Sequence, residues 1–200
     1  MADSDPILVE VPTEWRGSRV LLRPFAETDA AAVWQAIEES RALLTPWMPW
    51  TPDQRSEADS LRYIRQCISH LAVRDDLTIG IFDAASGNFI GGTGLHRIDW
   101  RIRRFEIGYW IRASLEGQGL VTESVQVLTR AAFRDLAAAR VEIRMDVRNT
   151  RSRNVPQRLG FVYEGCLRQA LPDVHGEPRD MDVFSLVRDD LSRLEWAQLS

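Results

Sequence analysis

The sequence predicts an α+β (mixed α/β) fold, a mixed sheet with helices against it, from three observations. Apolar residues recur at helical spacing as far as Leu71, the period turns to alternation from Leu77, and beyond Ile111 helix-like and strand-like runs take turns. The order is helices, an antiparallel meander, then β-α-β-α-β-β, which a single layered core can bury.

Each element has its own warrant. Residues 19–23 are a short β-rich run, and Thr28 or Asp29 caps a helix with Ala32, Val33, Ala36 and Ile37 on one face. Next comes Leu43-Leu44-Thr45-Pro46-Trp47-Met48-Pro49-Trp50-Thr51-Pro52, whose prolines exclude a regular helix and whose tryptophans are costly to leave in water. Ser56 and Asp59 have capping-box spacing ahead of Leu61, Ile64, Ile68 and Leu71 on a second helix. Strands are predicted over 77–83 and 89–97 around the hairpin signal Ser86-Gly87-Asn88, and over 105–111 after a polar turn near Asp99. Val121, Val125, Leu128, Ala132 and Leu136 form a helical stripe, and 141–147 alternates as a strand. Residues 149–159 read as a helix ended by Gly160, which Pro156 should kink or shorten. Strands over 161–170 and 181–187, joined by a Pro/His/Gly loop, and a terminal helix over 191–197 complete the order.

Composition narrows the function classes. A chain of 200 residues, 44% hydrophobic and 27% charged, with no linker-like stretch, predicts one domain. Residues 1–10 are acidic rather than basic-then-apolar, and no apolar run is long enough to span a bilayer, so a soluble, cytoplasmic protein without membrane contact is expected. Cys67 and Cys166 are too few for a disulfide framework, and His70, His96 and His175 lack metal-ligand spacing, so no metal is expected. A net charge of −4 argues against direct nucleic-acid binding. The arginines at 140, 144, 148, 151, 153 and 158 are either solvated faces or a meeting place for a multiply charged small ligand.

One turn carries a chemical signal. Residues 116–124, Glu-Gly-Gln-Gly-Leu-Val-Thr-Glu-Ser, join the strand at 105–111 to the following helix. Such a turn leaves backbone N–H groups pointing out of a helix N-terminus, a phosphate site, and Gly117 and Gly119 allow positive φ there.

The order of four segments resembles the GNAT superfamily of acetyl-CoA-dependent N-acetyltransferases, and within it the RimJ/RimL-like branch that acetylates protein N-terminal amines. The segments are Leu43 to Thr51 with its Pro-Trp-Met-Pro-Trp core; Phe105-Glu106-Ile107-Gly108-Tyr109-Trp110-Ile111; Gly117-Gln118-Gly119 running into Thr122-Glu123-Ser124; and Asn149, Ser152, Val155 with Arg158-Leu159-Gly160-Phe161 and Glu164-Gly165. The resemblance covers about 18–187 and implies a mostly antiparallel twisted sheet of about seven strands with a splayed parallel pair. Two positions depart from the family's phosphate loop, Glu116 at its first position and Val121 at its last. Glu116 pointing inward would repel a pyrophosphate by roughly 1 to 4 kcal/mol, so it should face solvent.

What the resemblance implies for the site follows from the chemistry. Gly117, Gln118, Gly119, Leu120, Val121 and Thr122 would hold the pyrophosphate, amides near Trp110 and Ile111 the pantetheine and acetyl carbonyl, and Asn149 and Ser152 the arm and thiol. Ser152 is the candidate for hydrogen bonding to, or protonating, the leaving thiolate; a plain helix-capping serine is the other reading. Glu106 either binds or deprotonates the acceptor amine or pairs with Arg103 or Arg104 on a solvated face. Of Trp47 and Trp50, one should pack the loop and the other line the acceptor cleft, while His96 either assists proton transfer or bonds a neighbour. Cys166 should pack against the core. The acceptor is expected to be a protein or peptide N-terminus; a small amine such as a polyamine, an aminoglycoside or an aminoacyl-nucleotide antibiotic is the alternative, and a non-catalytic acyl-CoA-binding module the alternative of another class. Exposed aromatic loops permit a homodimer.

Overall fold

A computed structural model describes residues 5–198, so residues 1–4 of the acidic 1–10 segment lie outside the described residues. Its centre is an 8-stranded sheet in the order β1-β2-β3-β4-β5-β6-β8-β7. The strands are β1 (Trp15–Arg16), β2 (Val20–Arg23), β3 (Leu77–Asp83), β4 (Phe89–Asp99), β5 (Arg104–Ile111), β6 (Arg140–Asp146), β7 (Val162–Pro172) and β8 (Pro178–Val187). The helices are α1 (Ala30–Leu44), α2 (Glu57–Val73), α3 (Leu120–Asp135) and α4 (Thr150–Arg158).

Every strand pair is antiparallel except β5 with β6, whose register runs only from Arg104↔Arg140 to Glu106↔Glu142. Both strands then continue without pairing to each other. This opening is the feature that positions the site.

Alternation assigns the two faces of the sheet. Phe105 and Ile107 of β5 join Val125, Leu128, Ala132 and Phe133 of α3 and Val141 and Ile143 of β6 in the larger core. Trp110 points the other way, with Phe82 and Phe89, into a second core under Val33, Ile37 and Ile64 of α1 and α2. Full burial of each such side chain stabilises the fold by about 1.5–3 kcal/mol.

The structure departs from the sequence expectations at a few places. The strand beyond the expected seven is the two-residue β1, too short for any periodicity to mark it. Leu43 and Leu44 belong to the end of α1 rather than to the proline-rich turn. Asp29 does not cap α1 with its side chain; it accepts from the Ala26 amide (2.8 Å) and pairs with Arg23 (2.8 Å). The terminal helix over 191–197 is instead two 3-10 segments, Arg188–Arg193 and Glu195–Ala197, separated at Leu194 by extended backbone. Tertiary anchoring decides there: Leu191 and Ala197 are buried, and the Trp196 indole donates to the Leu159 carbonyl (3.1 Å).

Candidate functional site

Where β5 and β6 part, a cleft of about 480 Å³ opens. Its walls are Leu43, Trp47 and Met48, the β5 residues Tyr109, Trp110 and Ile111, the loop into α3, and Asn149, Ser152, Asn154 and Val155 around α4.

The loop wall is made of backbone. Gly117 (φ 75°) and Gly119 (φ 77°) occupy the left-handed region that favours glycine, and Gly119 is the N-cap of α3. The amides of residues 117–122 have no acceptor among the described residues, so a row of donors faces the cleft mouth at a helix N-terminus. A Cβ on Gly117 would meet nothing within 4 Å, so conformation and not crowding selects glycine there.

Side chains hold this loop from both ends. Glu39 of α1 accepts from the Ser114 amide (2.9 Å) and from Arg112 (2.6 Å), and Ser40 Oγ accepts from the Ala113 amide (2.9 Å). Hydrogen bonds from Ser114, then Arg112, pull the Glu39 carboxyl down to about 2. From the other side Arg19 donates to the Gln118 carbonyl (2.9 Å) and to Glu123 (2.8 Å). Glu116 is exposed, as expected, and is also neutralised, its carboxylate taking Arg151 Nη1 at 2.9 Å. Val121 is only half-buried against the core edge. A second cavity of about 530 Å³ adjoins at Gly119, Thr122 and Arg158 and carries Arg19, Gln126 and Arg130. Neither Arg130 nor Arg158 has an ion-pair partner among the described residues.

Ser152 sits on the facing wall with each of its polar groups engaged. Its amide donates to Asn149 Oδ1 (3.1 Å), which makes Asn149 the side-chain cap of α4. Its hydroxyl donates to Tyr109 Oη (3.1 Å), and Tyr109 donates back to the Ser152 carbonyl (2.9 Å). That carbonyl is open to Tyr109 because Pro156, one helical turn on, has no N–H to give it. Burial pushes the Tyr109 hydroxyl well above its ordinary range, so it stays a donor.

The β5 amides follow from register. The Arg112 backbone amide donates to the Ile90 carbonyl (2.9 Å) with Trp110 opposite Gly92, so alternation turns the Trp110 amide toward β4 and the Tyr109 and Ile111 amides toward the opening. The expectation of a free amide is corrected for Trp110, which borders the cleft while its amide turns to β4 and its ring packs in the second core.

On the acceptor side the residues are tied down. Trp47 lines the cleft, whereas Trp50 stacks on Tyr63 (6.5 Å between centroids) and packs on Trp110 (5.9 Å). Arg41 fastens their loop by donating to the carbonyls of Thr51 (3.0 Å) and Gln54 (2.6 Å), and Arg179 of β8 donates to the Trp47 carbonyl (3.3 Å). Glu106, 7% exposed, is ion-paired with Arg97 and Arg144 (3.2 Å) rather than with Arg103 or Arg104, and it is not among the residues lining the cleft. The pairs continue through Glu142 and Arg140 to Glu164, so opposite charges alternate across the β5–β6 junction. The reason is a bulge between His96 and Asp99, where Arg97 takes φ 45° and swings its guanidinium to Glu106. His96 keeps Nδ1 2.8 Å from Asp76 Oδ2, and its ring lies over Gly108, where a Cβ would sit 3.0 Å from Nε2. Burial raises the Asp76 pKa, but bonds and charge from His96 and a bond from Thr78 outweigh it and leave the carboxyl low. Cys166 does not pack against the core; it is exposed on β7, the edge strand.

The structure thus brings Trp47, Trp110, Ile111, the glycine loop, Asn149 and Ser152 to one cleft and leaves Trp50, Glu106 and His96 outside its lining. Sequence reasoning missed Tyr109, Asn154 and the joining role of Arg158. For Tyr109 the one local trace was Pro156, whose missing N–H leaves the carbonyl four residues back without its helical donor but does not say what takes its place.

Comparison with known proteins adds the family. The Acetyltransferase (GNAT) domain family matches residues 19–162. The chain is 28% identical to the ribosomal-protein-serine acetyltransferase of Escherichia coli (strain K12), over 84% of this chain and 92% of that one. Among solved structures it resembles Mycobacterium smegmatis RimJ in complex with CoA-disulfide, with TM-score 0.82, 25% identity, and coverage of 92% of this chain and 90% of that one. It shares the fold of the microcin C7 self-immunity acetyltransferase MccE in complex with acetyl-CoA and AMP, with TM-score 0.80, 24% identity, and coverage of 86% and 93%. No helix among the described residues is long and apolar enough to cross a membrane.

Proposed function

Because the chain belongs to the GNAT acetyltransferase family and is an acetyl-CoA-dependent N-acetyltransferase, we propose that its acceptor is the α-amine of a protein or peptide N-terminus and that acetyl-CoA lies along the cleft between β5 and β6. The observation that carries this placement is the row of unengaged amides at 117–122 facing Ser152 across one cleft. In this reading the amides bind the pyrophosphate, Arg130 and Arg158 meet the remaining phosphate charge, and the pantetheine arm passes Asn149.

The thioester then lies beside Ser152. Amides of Tyr109 and Ile111, fixed in β5, donate to the carbonyl oxygen as it gains charge, which requires no reorganisation. The amine nitrogen attacks the carbonyl carbon, the C–N bond forms, and the C–S bond breaks with its electron pair going to sulfur. The thiolate receives a hydrogen bond from the Ser152 hydroxyl, and the ammonium proton passes to solvent. An α-amine is already about a tenth neutral at pH 7, so little is asked of a base. Glu106, held between two guanidinium groups, serves this reading by fixing the junction from which the strands open. Trp47 forms the acceptor wall. The likeness to a ribosomal-protein-serine acetyltransferase supports the peptide acceptor.

The test is thiol release from acetyl-CoA by purified protein, with peptides beginning in Ser, Ala or Asp in one arm and polyamines, aminoglycosides and free lysine in the other. Release with peptides is expected. Turnover with small amines alone would replace the acceptor, and protection against unfolding by acetyl-CoA without release in either arm would make the protein a binding module.

A further inference from the structure

We propose that Tyr109 is the positioning residue of Ser152 and that Pro156 is what allows it to act; this rests on acetyl transfer in the cleft described above. In an uninterrupted helix the Ser152 carbonyl would accept from the amide of residue 156, and a tyrosine on the neighbouring strand would find it occupied. Pro156 deletes that donor, and the Tyr109 hydroxyl takes its place at 2.9 Å.

The consequence is a fixed polarity. A tyrosine hydroxyl has one proton, and once that proton is given to the carbonyl, Tyr109 Oη can only accept from its other neighbour. Ser152 Oγ, 3.1 Å away, must therefore be the donor, and its lone pairs and rotation axis are set. The Asn149 cap on the Ser152 amide (3.1 Å) holds the backbone while this happens. Before the reaction the serine proton rests on a neutral phenol oxygen in a long, weak bond. When the C–S bond breaks, the thiolate is a charged and stronger acceptor, and the proton turns to it about the Cβ–Oγ bond without movement of a heavy atom. No proton transfer is needed for the effect; the hydrogen bond alone stabilises the leaving group.

The experiment is a set of variants assayed at saturating acceptor. Tyr109→Phe is expected to lower kcat about tenfold while leaving the KM for acetyl-CoA within about twofold. In a Ser152→Ala background the same change should cost less than about twofold, because the residue it positions is gone. Pro156→Ala returns the amide to the Ser152 carbonyl, so the double variant Tyr109→Phe/Pro156→Ala should regain thermal stability and keep the low kcat. Recovery of kcat together with stability, or an undiminished kcat in Tyr109→Phe, would overturn the proposal and leave Tyr109 as packing. The wild-type protein separates the two readings: acetyl transfer by wild type with no tyrosine effect sinks only this inference, whereas no transfer by wild type sinks both.

Discussion

The two halves of the cleft are built on different principles. On the side assigned to acetyl-CoA the groups that face the opening are backbone amides, pinned from behind by Glu39, Ser40 and Arg19 and left without acceptors in front. Beyond the other wall nearly every polar side chain that the sequence suggests is spoken for: Glu106 by Arg97 and Arg144, the Nδ1 edge of His96 by Asp76, and the Trp50 ring by Tyr63 and Trp110. The lesson is that binding capacity here resides in donors whose scaffold is satisfied, while the charged residues nearby hold the scaffold. A carboxylate on a strand beside a cleft is a catalyst only if its partners let go.

Experiments can break that contrast or sharpen it. The largest effect is expected from Gly119→Glu, which puts a side chain and a negative charge at a left-handed position in the amide row; acetyl-CoA affinity should fall by more than about 100-fold, and an unchanged titration would take the loop out of the cofactor site. Trp50→Ala should destabilise the fold by about 1–3 kcal/mol, while Trp47→Ala should spare stability and raise the acceptor KM. Thermal melts and acceptor kinetics side by side check this pair, and the opposite pattern would reverse the assignment of the two rings. Glu106→Gln leaves Arg97 without its counter-ion and Arg144 with Glu142 alone, and a loss of about 1–3 kcal/mol is expected, lowering Tm by roughly 2–4 °C per kcal/mol. Loss of turnover at full stability would instead give Glu106 a direct part in the chemistry.

Smaller effects should come from the loop's anchors. The folded Glu39 carboxyl is lowered from 4.5 to about 2, so its stabilisation is complete above the unfolded value and is lost as pH falls through that interval. The stability advantage of wild type over Glu39→Gln should thus be constant above pH of about 5 and shrink toward pH of about 2. A pH-independent difference would mean that the carboxylate charge is irrelevant to the anchor. Least of all, Glu116→Gln frees Arg151, and acetyl-CoA affinity should rise by about two- to fivefold at low salt, with the gain vanishing at high salt.

The same contrast explains what was legible in the sequence. Gly117-x-Gly119 and Asn149-x-x-Ser152 are local patterns, with turn and cap chemistry within a few residues, and the cleft contains both. The partners of Glu106 depend on a bulge near Arg97 and on a guanidinium arriving from β6, neither of which has a spacing signature. Arg103 and Arg104, the sequence neighbours, were therefore the wrong candidates. Pro156 could be read as an irregularity but not as an opening for Tyr109, because the tyrosine lies 43 positions along the chain from the Ser152 carbonyl that it meets. The exposure of Cys166 follows from β8 lying inside β7 in the strand order, a topological fact that alternation along one strand does not carry.

The bond from Arg179 to the Trp47 carbonyl spans 132 positions of chain. It ties the turn after the first helix to the strand of the sheet that comes last in chain order, and β6 has no neighbour on that side until the same strand arrives. A growing polypeptide can assemble the β2-β3-β4-β5 meander early, yet the acceptor wall cannot close until β8 is released. Competence for chemistry thereby waits on β8, after the meander already exists.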